Sequence, residues 1–139
     1  MLRCDMTANL ASMYEVGMMR RFRAFHVMPD DPGPEGKLHA HDYRLEVVVA
    51  RRELDDRGMV VDLDVLKESL AEVVGALEGR DLDAIRGDAY AVTVEVLARW
   101  VHTELLRVLG ADQTLGLRVR AWESDDAFGG FSDQGPGPA

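Results

Sequence analysis

A single cysteine, Cys4, among 139 residues has no partner within the chain, so no intrachain disulfide can brace the fold. Long apolar runs are missing too: none approaches the roughly 20 residues that a bilayer crossing requires, so no membrane association is expected. Positive charge is in deficit, with 16 Lys and Arg against 25 Asp and Glu and a net charge of −9, and along the sequence the arginines are interleaved with acids. Such a chain repels a polyphosphate backbone, and nucleic acid is not an expected partner. The first residues lack the charged-then-apolar order of a secretory leader, which makes the cytoplasm the expected compartment.

What is present is the composition of a globular protein, 47% hydrophobic and 29% charged, in a length that suits one domain with a real core. Residues 1–12 carry no clear period and read as a flexible extension; residues 13–131 form the domain, and 132–139, ending in QGPGPA, read as a disordered tail.

Within the domain the pattern changes from period two to the helical period and back. Residues 14–27 mix alternation with aromatic and β-branched side chains and stop at Pro29, before the turn-rich PDDPGPEGK; they read as a strand and a loop. From residue 39 the alternation puts His39, His41, Tyr43, Leu45, Val47 and Val49 on one face of a second strand. Leu63, Leu66, Leu70, Val73, Val74 and Leu77 then recur at three- and four-residue spacing, predicting an amphipathic helix near 62–77. A second helix is expected from the N-cap Thr93, lined by Leu97, Val101, Leu105 and Val108 and ended by Gly110. TLGLRVRAWES alternates as a third strand, and AFGGF adds a short fourth. The order β-β-α-α-β-β predicts an α+β fold, an antiparallel sheet with both helices packed on one face.

Three of the four histidines fall within sixteen residues: His26 at the end of the first strand, His39 and His41 two apart on the second. If those strands pair as a hairpin, three imidazoles converge, and three neutral nitrogen donors with one vacant position make a catalytic zinc site. Taken alone, the spacing fits ordinary surface or core histidines as well. His102, in WVHTELL, reads as a polar-face helix residue, and Trp100 and Trp122 read as packing groups.

FRAFH followed by KLHAHDYRLEV resembles the F-x-A-x-H and L-H-G-H-x-[YF]-x-[VL]-x-[VL] stretches of the 6-pyruvoyltetrahydropterin and 6-carboxytetrahydropterin synthases. The likeness continues through GMVVD (residues 58–62), through Thr93-Val94-Glu95, which is similar to P-T-x-E, and through RVRAWES, similar to a strand ending in V-x-E. It implies the tunnelling fold, in which four-stranded sheets join edge to edge into a barrel, here as a homotrimer or hexamer. It also implies zinc on His26, His39 and His41, a small-molecule pterin-like substrate, and Glu123 as the carboxylate that accepts two parallel N–H bonds from the pterin edge, with Thr93 as a second substrate-binding residue.

Three acid–base positions depart from that pattern. Where the family has a proton-abstracting cysteine, four residues before the first histidine of H-G-H, this chain has Glu35. The family's L-D-H aligns on Leu77-Glu78-Gly79, so its aspartate becomes glutamate and its histidine becomes glycine, which cannot move a proton. The expectation is a zinc-dependent lyase acting on a reduced pterin such as 7,8-dihydroneopterin triphosphate, cleaving its side chain with Glu35 as base, and with Glu78, Arg80 and Asp81 as replacement acid–base groups. The alternatives are a zinc- and pterin-binding module without synthase activity, or an enzyme acting on another nitrogen heterocycle.

Overall fold

The computed structural model describes residues 12–83, 91–110 and 115–133, so most of the expected N-terminal extension and residues 134–139 of the expected tail lie outside the described residues. Strand β1 (Tyr14–His26) and strand β2 (His39–Arg51) form a long antiparallel hairpin, followed by helix α1 (Leu63–Gly75), helix α2 (Val94–Leu109), strand β3 (Gly116–Ser124) and strand β4 (Ala127–Ser132). The sheet order is β1-β2-β3-β4 with every pair antiparallel.

Register decides which side chains share a face. Phe22 lies opposite Tyr43, Leu45 opposite Ala121, Val47 opposite Val119 and Val49 opposite Leu117. All of these are buried, and the helices cover them with Leu66, Leu70, Val73, Val74, Leu97, Ala98, Val101 and Leu105. Burying this one face in a period-two strand and a 3.6-period stripe is what fixes the layered arrangement.

The helices end where their caps dictate. Asp62 accepts a hydrogen bond from the backbone of Asp64, making it the N-cap of α1, so the helix begins at Leu63 and ends at Gly75; Leu77, beyond it, is still buried. Thr93 caps α2 through Val96 N–H at 3.2 Å, and Gly110 ends it in the left-handed region. No helix among the described residues is long and apolar enough to cross a membrane.

Two expectations are corrected. Ser132 is still paired, opposite Arg118, and the Asp133 backbone donates to Leu117 O at 3.1 Å, so order continues past residue 131. His102 is not on a polar face but 4% exposed, its Nε2 3.0 Å from an Asp133 carboxylate oxygen and its ring edge-on to Phe131. The carboxylate beside it comes from the residue after β4, which a helix pattern read by itself does not contain.

Candidate metal and substrate site

The hairpin register sets His26 directly opposite His39 and Ala24 opposite His41, and the period-two pleat sends all three imidazoles to the helix-covered face. Ring centroids lie 4.4 Å (His26–His39), 5.0 Å (His26–His41) and 4.9 Å (His39–His41) apart. Two rings are held from behind. His26 Nδ1 is 2.8 Å from Val92 O, just before α2, and His39 Nδ1 is 2.8 Å from Lys37 O. A carbonyl only accepts, so both Nδ1 atoms carry the proton and both Nε2 atoms present a lone pair.

All three Nε2 atoms are buried without a hydrogen-bond partner among the described residues. Buried polar nitrogens are normally satisfied, and three lone pairs aimed at one point are satisfied together by a cation. Glu35 lies beside them: its Oε2 is 2.7 Å from His39 Nε2 and 3.8 Å from His41 Nε2, and the four candidate ligand atoms all lie within 4.8 Å of one another. Three imidazoles with one position left open fit a catalytic zinc, with the carboxylate next to that position. Burial, and then the neighbouring His26, push the His41 pKa below its ordinary value against the opposing pull of Glu123, which keeps this imidazole neutral and able to ligate.

Glu35 is presented by a single short turn, Pro34–Gly36, in which Met28 N–H donates to Glu35 O at 2.8 Å. Gly36 is required there, since a Cβ would overlap the Asp31 carbonyl. Glu123 sits where the β3–β4 register shifts, between Trp122 and Ser124, a local irregularity that re-aims side chains beside functional sites. Its carboxylate acts electrostatically on both His41 and Tyr43, so it belongs to the same neighbourhood.

Tyr43 is the residue missed in the sequence. Its ring stacks on Phe22 at 5.2 Å and meets His41 edge-on at 5.4 Å, forming the floor of the cluster. Burial first, then the carboxylates of Glu123, Asp83 and Glu35, raise its pKa well above the ordinary phenol value, so the hydroxyl stays protonated. Its place in the alternation behind His39 and His41 is the signal that could have found it.

Glu78 is not brought to the cluster. Its Oε2 accepts from Arg23 N–H at 2.8 Å, while Gly79 N–H donates to Arg23 O and Phe25 N–H to Arg80 O. Asp81 bridges to Phe25 in parallel, and Asp83 accepts from Val27 N–H at 2.9 Å. Residues 78–83 therefore run as a backbone cap along the outer edge of β1, and Glu78 and Arg80 serve that cap within this chain. Thr93 Oγ1 accepts the N-cap bond from Val96 N–H, next to the Val92 carbonyl that holds His26. Trp122 faces the opposite side of the sheet.

Comparison with known proteins agrees with this fold. A sequence model of the family described as 6-pyruvoyl tetrahydropterin synthase matches residues 15–133. A 6-carboxy-5,6,7,8-tetrahydropterin synthase of Bacillus subtilis (strain 168) is similar at 29% identity over 92 residues, 64% of this chain; the match spans 63% of that relative's length. In solved structures the fold is similar to the 6-pyruvoyl tetrahydropterin synthase of Caenorhabditis elegans, with a TM-score of 0.76 and 20% identity over 88% of this chain and 96% of that one. It is also similar to the Plasmodium vivax enzyme, studied with a catalytic glutamate replaced by alanine, with a TM-score of 0.68 and 14% identity over 88% of this chain and 98% of that one.

Proposed function

The chain belongs to the 6-pyruvoyl tetrahydropterin synthase family, and from that membership we propose that it is a zinc-dependent lyase acting on a reduced pterin with a hydroxylated side chain, of the kind represented by 7,8-dihydroneopterin triphosphate. The observation that carries this reading is the convergence of the buried Nε2 atoms of His26, His39 and His41 beside the Glu35 carboxylate. His26, His39 and His41 would hold the zinc, which when bound would supply Lewis-acid polarisation of a substrate oxygen.

The protein's own groups do the remaining work. Glu35 takes the proton from the hydroxyl on the second side-chain carbon; the bond between the first and second carbons breaks, the second leaves as an aldehyde, and the proton held by Glu35 is returned to the electron pair left on the first. Glu35 is the better base of the two glutamates because Glu78 is engaged by Arg23 N–H. Glu123 accepts paired N–H bonds from the flat amino-pyrimidinone edge and so fixes the ring. The hydroxyl of Tyr43, kept protonated, can donate but not act as base. Thr93 acts from the start of α2, holding in position the segment that orients His26. A catalytic glutamate in the Plasmodium vivax relative supports the role given to Glu35.

The active form in this reading is a homotrimer or hexamer in the cytoplasm, assembled edge to edge, because an open four-stranded sheet leaves backbone groups that pairing would satisfy. The test is to incubate zinc-loaded protein with dihydroneopterin triphosphate and follow products by mass spectrometry, comparing wild type with Glu35→Ala at equal zinc occupancy. A 6-hydroxymethyl-dihydropterin product, lost in the variant, is the expected result; equal rates reject Glu35 as base, and no turnover by wild type rejects the lyase.

A further inference from the structure

The face of the sheet opposite the histidines has a character that the chain's overall charge conceals. Arg21, Arg23, Arg44, Arg118 and Arg120 all project there, with Glu15, Asp42 and Glu46 as the acids, because the pleat gathers onto one face arginines that are interleaved with acids along the sequence. Two of the arginines are paired, Arg23 with Asp42 at 2.9 Å and Arg120 with Glu46 at 3.5 Å. Arg21, Arg44 and Arg118 have no carboxylate partner among the described residues.

One row crosses all four strands: Arg21, Arg44, Trp122 and Phe128 are successive cross-strand neighbours. Arg21 directly opposite Arg44 is a like-charge pair, which weakens a sheet unless something anionic lies between. Beside it, Trp122 and Phe128 form an aromatic shelf with ring centroids 4.5 Å apart, Arg44 lies 4.7 Å over Trp122, and Arg120 lies 4.9 Å over Phe128. Phe128 is nonetheless 47% exposed. Arg44 Nε and Trp122 Nε1, both donors only, are buried with no hydrogen-bond partner among the described residues.

Aromatic rings at one end of a row and two opposed guanidiniums at the other, with one donor of each group, Trp122 Nε1 and Arg44 Nε, lacking an acceptor, describe a site for a flat ring carrying phosphates. Strands lie about 4.8 Å apart, so Arg21 is about 10 Å from Trp122 along the row, within the reach of a nucleotide from base to phosphates. We propose that this face binds a nucleoside polyphosphate, with the base against Trp122 and Phe128 and the phosphates between Arg21 and Arg44. The site is separate from the histidine centre, on the other side of the same sheet, and does not depend on the reaction proposed there.

Calorimetric titration of the intact zinc-loaded protein with ATP, inorganic tripolyphosphate and adenosine tests this. ATP is expected to bind about tenfold or more tightly than tripolyphosphate, through stacking of the base, and to weaken as salt is raised. Arg21→Ala and Arg44→Ala each reduce ATP affinity about tenfold by removing a charge-assisted bond, and Phe128→Ala removes the advantage of ATP over tripolyphosphate. His39→Ala leaves ATP affinity unchanged, which distinguishes this site from phosphate binding at the metal. Arg21 is exposed near the sheet edge, so its variant folds even if the Arg44 variant does not. Absence of ATP binding at low salt, indifference to Arg21→Ala, loss of binding in His39→Ala, or equal affinity for ATP and tripolyphosphate would each overturn the proposal.

Discussion

Replacing Gly129 by alanine is predicted to damage stability and the metal site together. Gly129 lies in β4 where that strand passes over the start of α2, and a Cβ built there sits 2.6 Å from Val94 Cγ2, 2.9 Å from Glu95 N and 3.1 Å from Val94 C. The valine methyl can rotate away, but the two backbone atoms belong to the first turn of a capped helix and cannot. Restoring ordinary contact distances means moving strand and helix apart by several tenths of an ångström, an overpacking cost of about 1–3 kcal/mol. For a domain of this size that corresponds to a fall of about 4–12 °C in Tm. Val92, whose carbonyl holds His26 Nδ1, lies two residues before Val94, so a shifted helix start also loosens the first metal ligand. Urea denaturation gives the first effect and competition with a chromophoric zinc chelator the second. Gly75→Ala is the control: its Cβ meets nothing within 4 Å, and alanine in a helix stabilises by about 0.5–1 kcal/mol. A Gly129→Ala protein as stable as wild type, with unchanged zinc affinity, would refute the reasoning.

Elemental analysis of protein purified without chelator should find stoichiometric zinc, and His39→Ala combined with His41→Ala should abolish it; metal content unaffected by the double change would remove the site. Gly36→Ala should displace the 31–36 turn and with it Glu35, lowering turnover while leaving zinc content near wild type, measured by product formation at equal metal loading. Asp55 accepts N–H bonds from Arg57 and Met59, which holds its pKa below the usual carboxylate value, Met59 contributing most. A depressed folded pKa stabilises the fold above the unfolded value and ceases to do so as pH falls through the folded one. The acid limb of the stability profile, from pH 3.8 downward, should therefore be shallower in Asp55→Ala, and an identical limb would exclude the linkage.

Period and capping made the scaffold legible: the alternation behind His39 and His41 gave β2 and its buried face, Thr93 and Gly110 bounded α2, and the three histidines announced themselves by converging on a hairpin. What stayed hidden depends on contacts between distant backbone atoms. Nothing around Val92 signals that its carbonyl orients a histidine 66 positions earlier, and Glu78, which aligned with an acid–base position, turned out to bond the amide of Arg23. His102 looked like a surface residue because its neighbour, Asp133, comes from just beyond β4. The arginines looked diluted by acids until the pleat sorted them by face. In each case the deciding neighbour lies on another element, where periodicity carries no information.

The segment that folds back along β1 sets a limit on how this protein can meet another copy of itself. With the amides and carbonyls around Arg23 and Phe25 already engaged, a foreign strand approaching that side has only the stretch from 14 to 21 left to grip. A seam of that length cannot slide toward the histidines without being stopped, so its alignment is chosen by the chain before the partner arrives. If the chain assembles into the closed ring proposed above, loosening the segment from 78 to 80 should let such seams creep and give open-ended fibres instead.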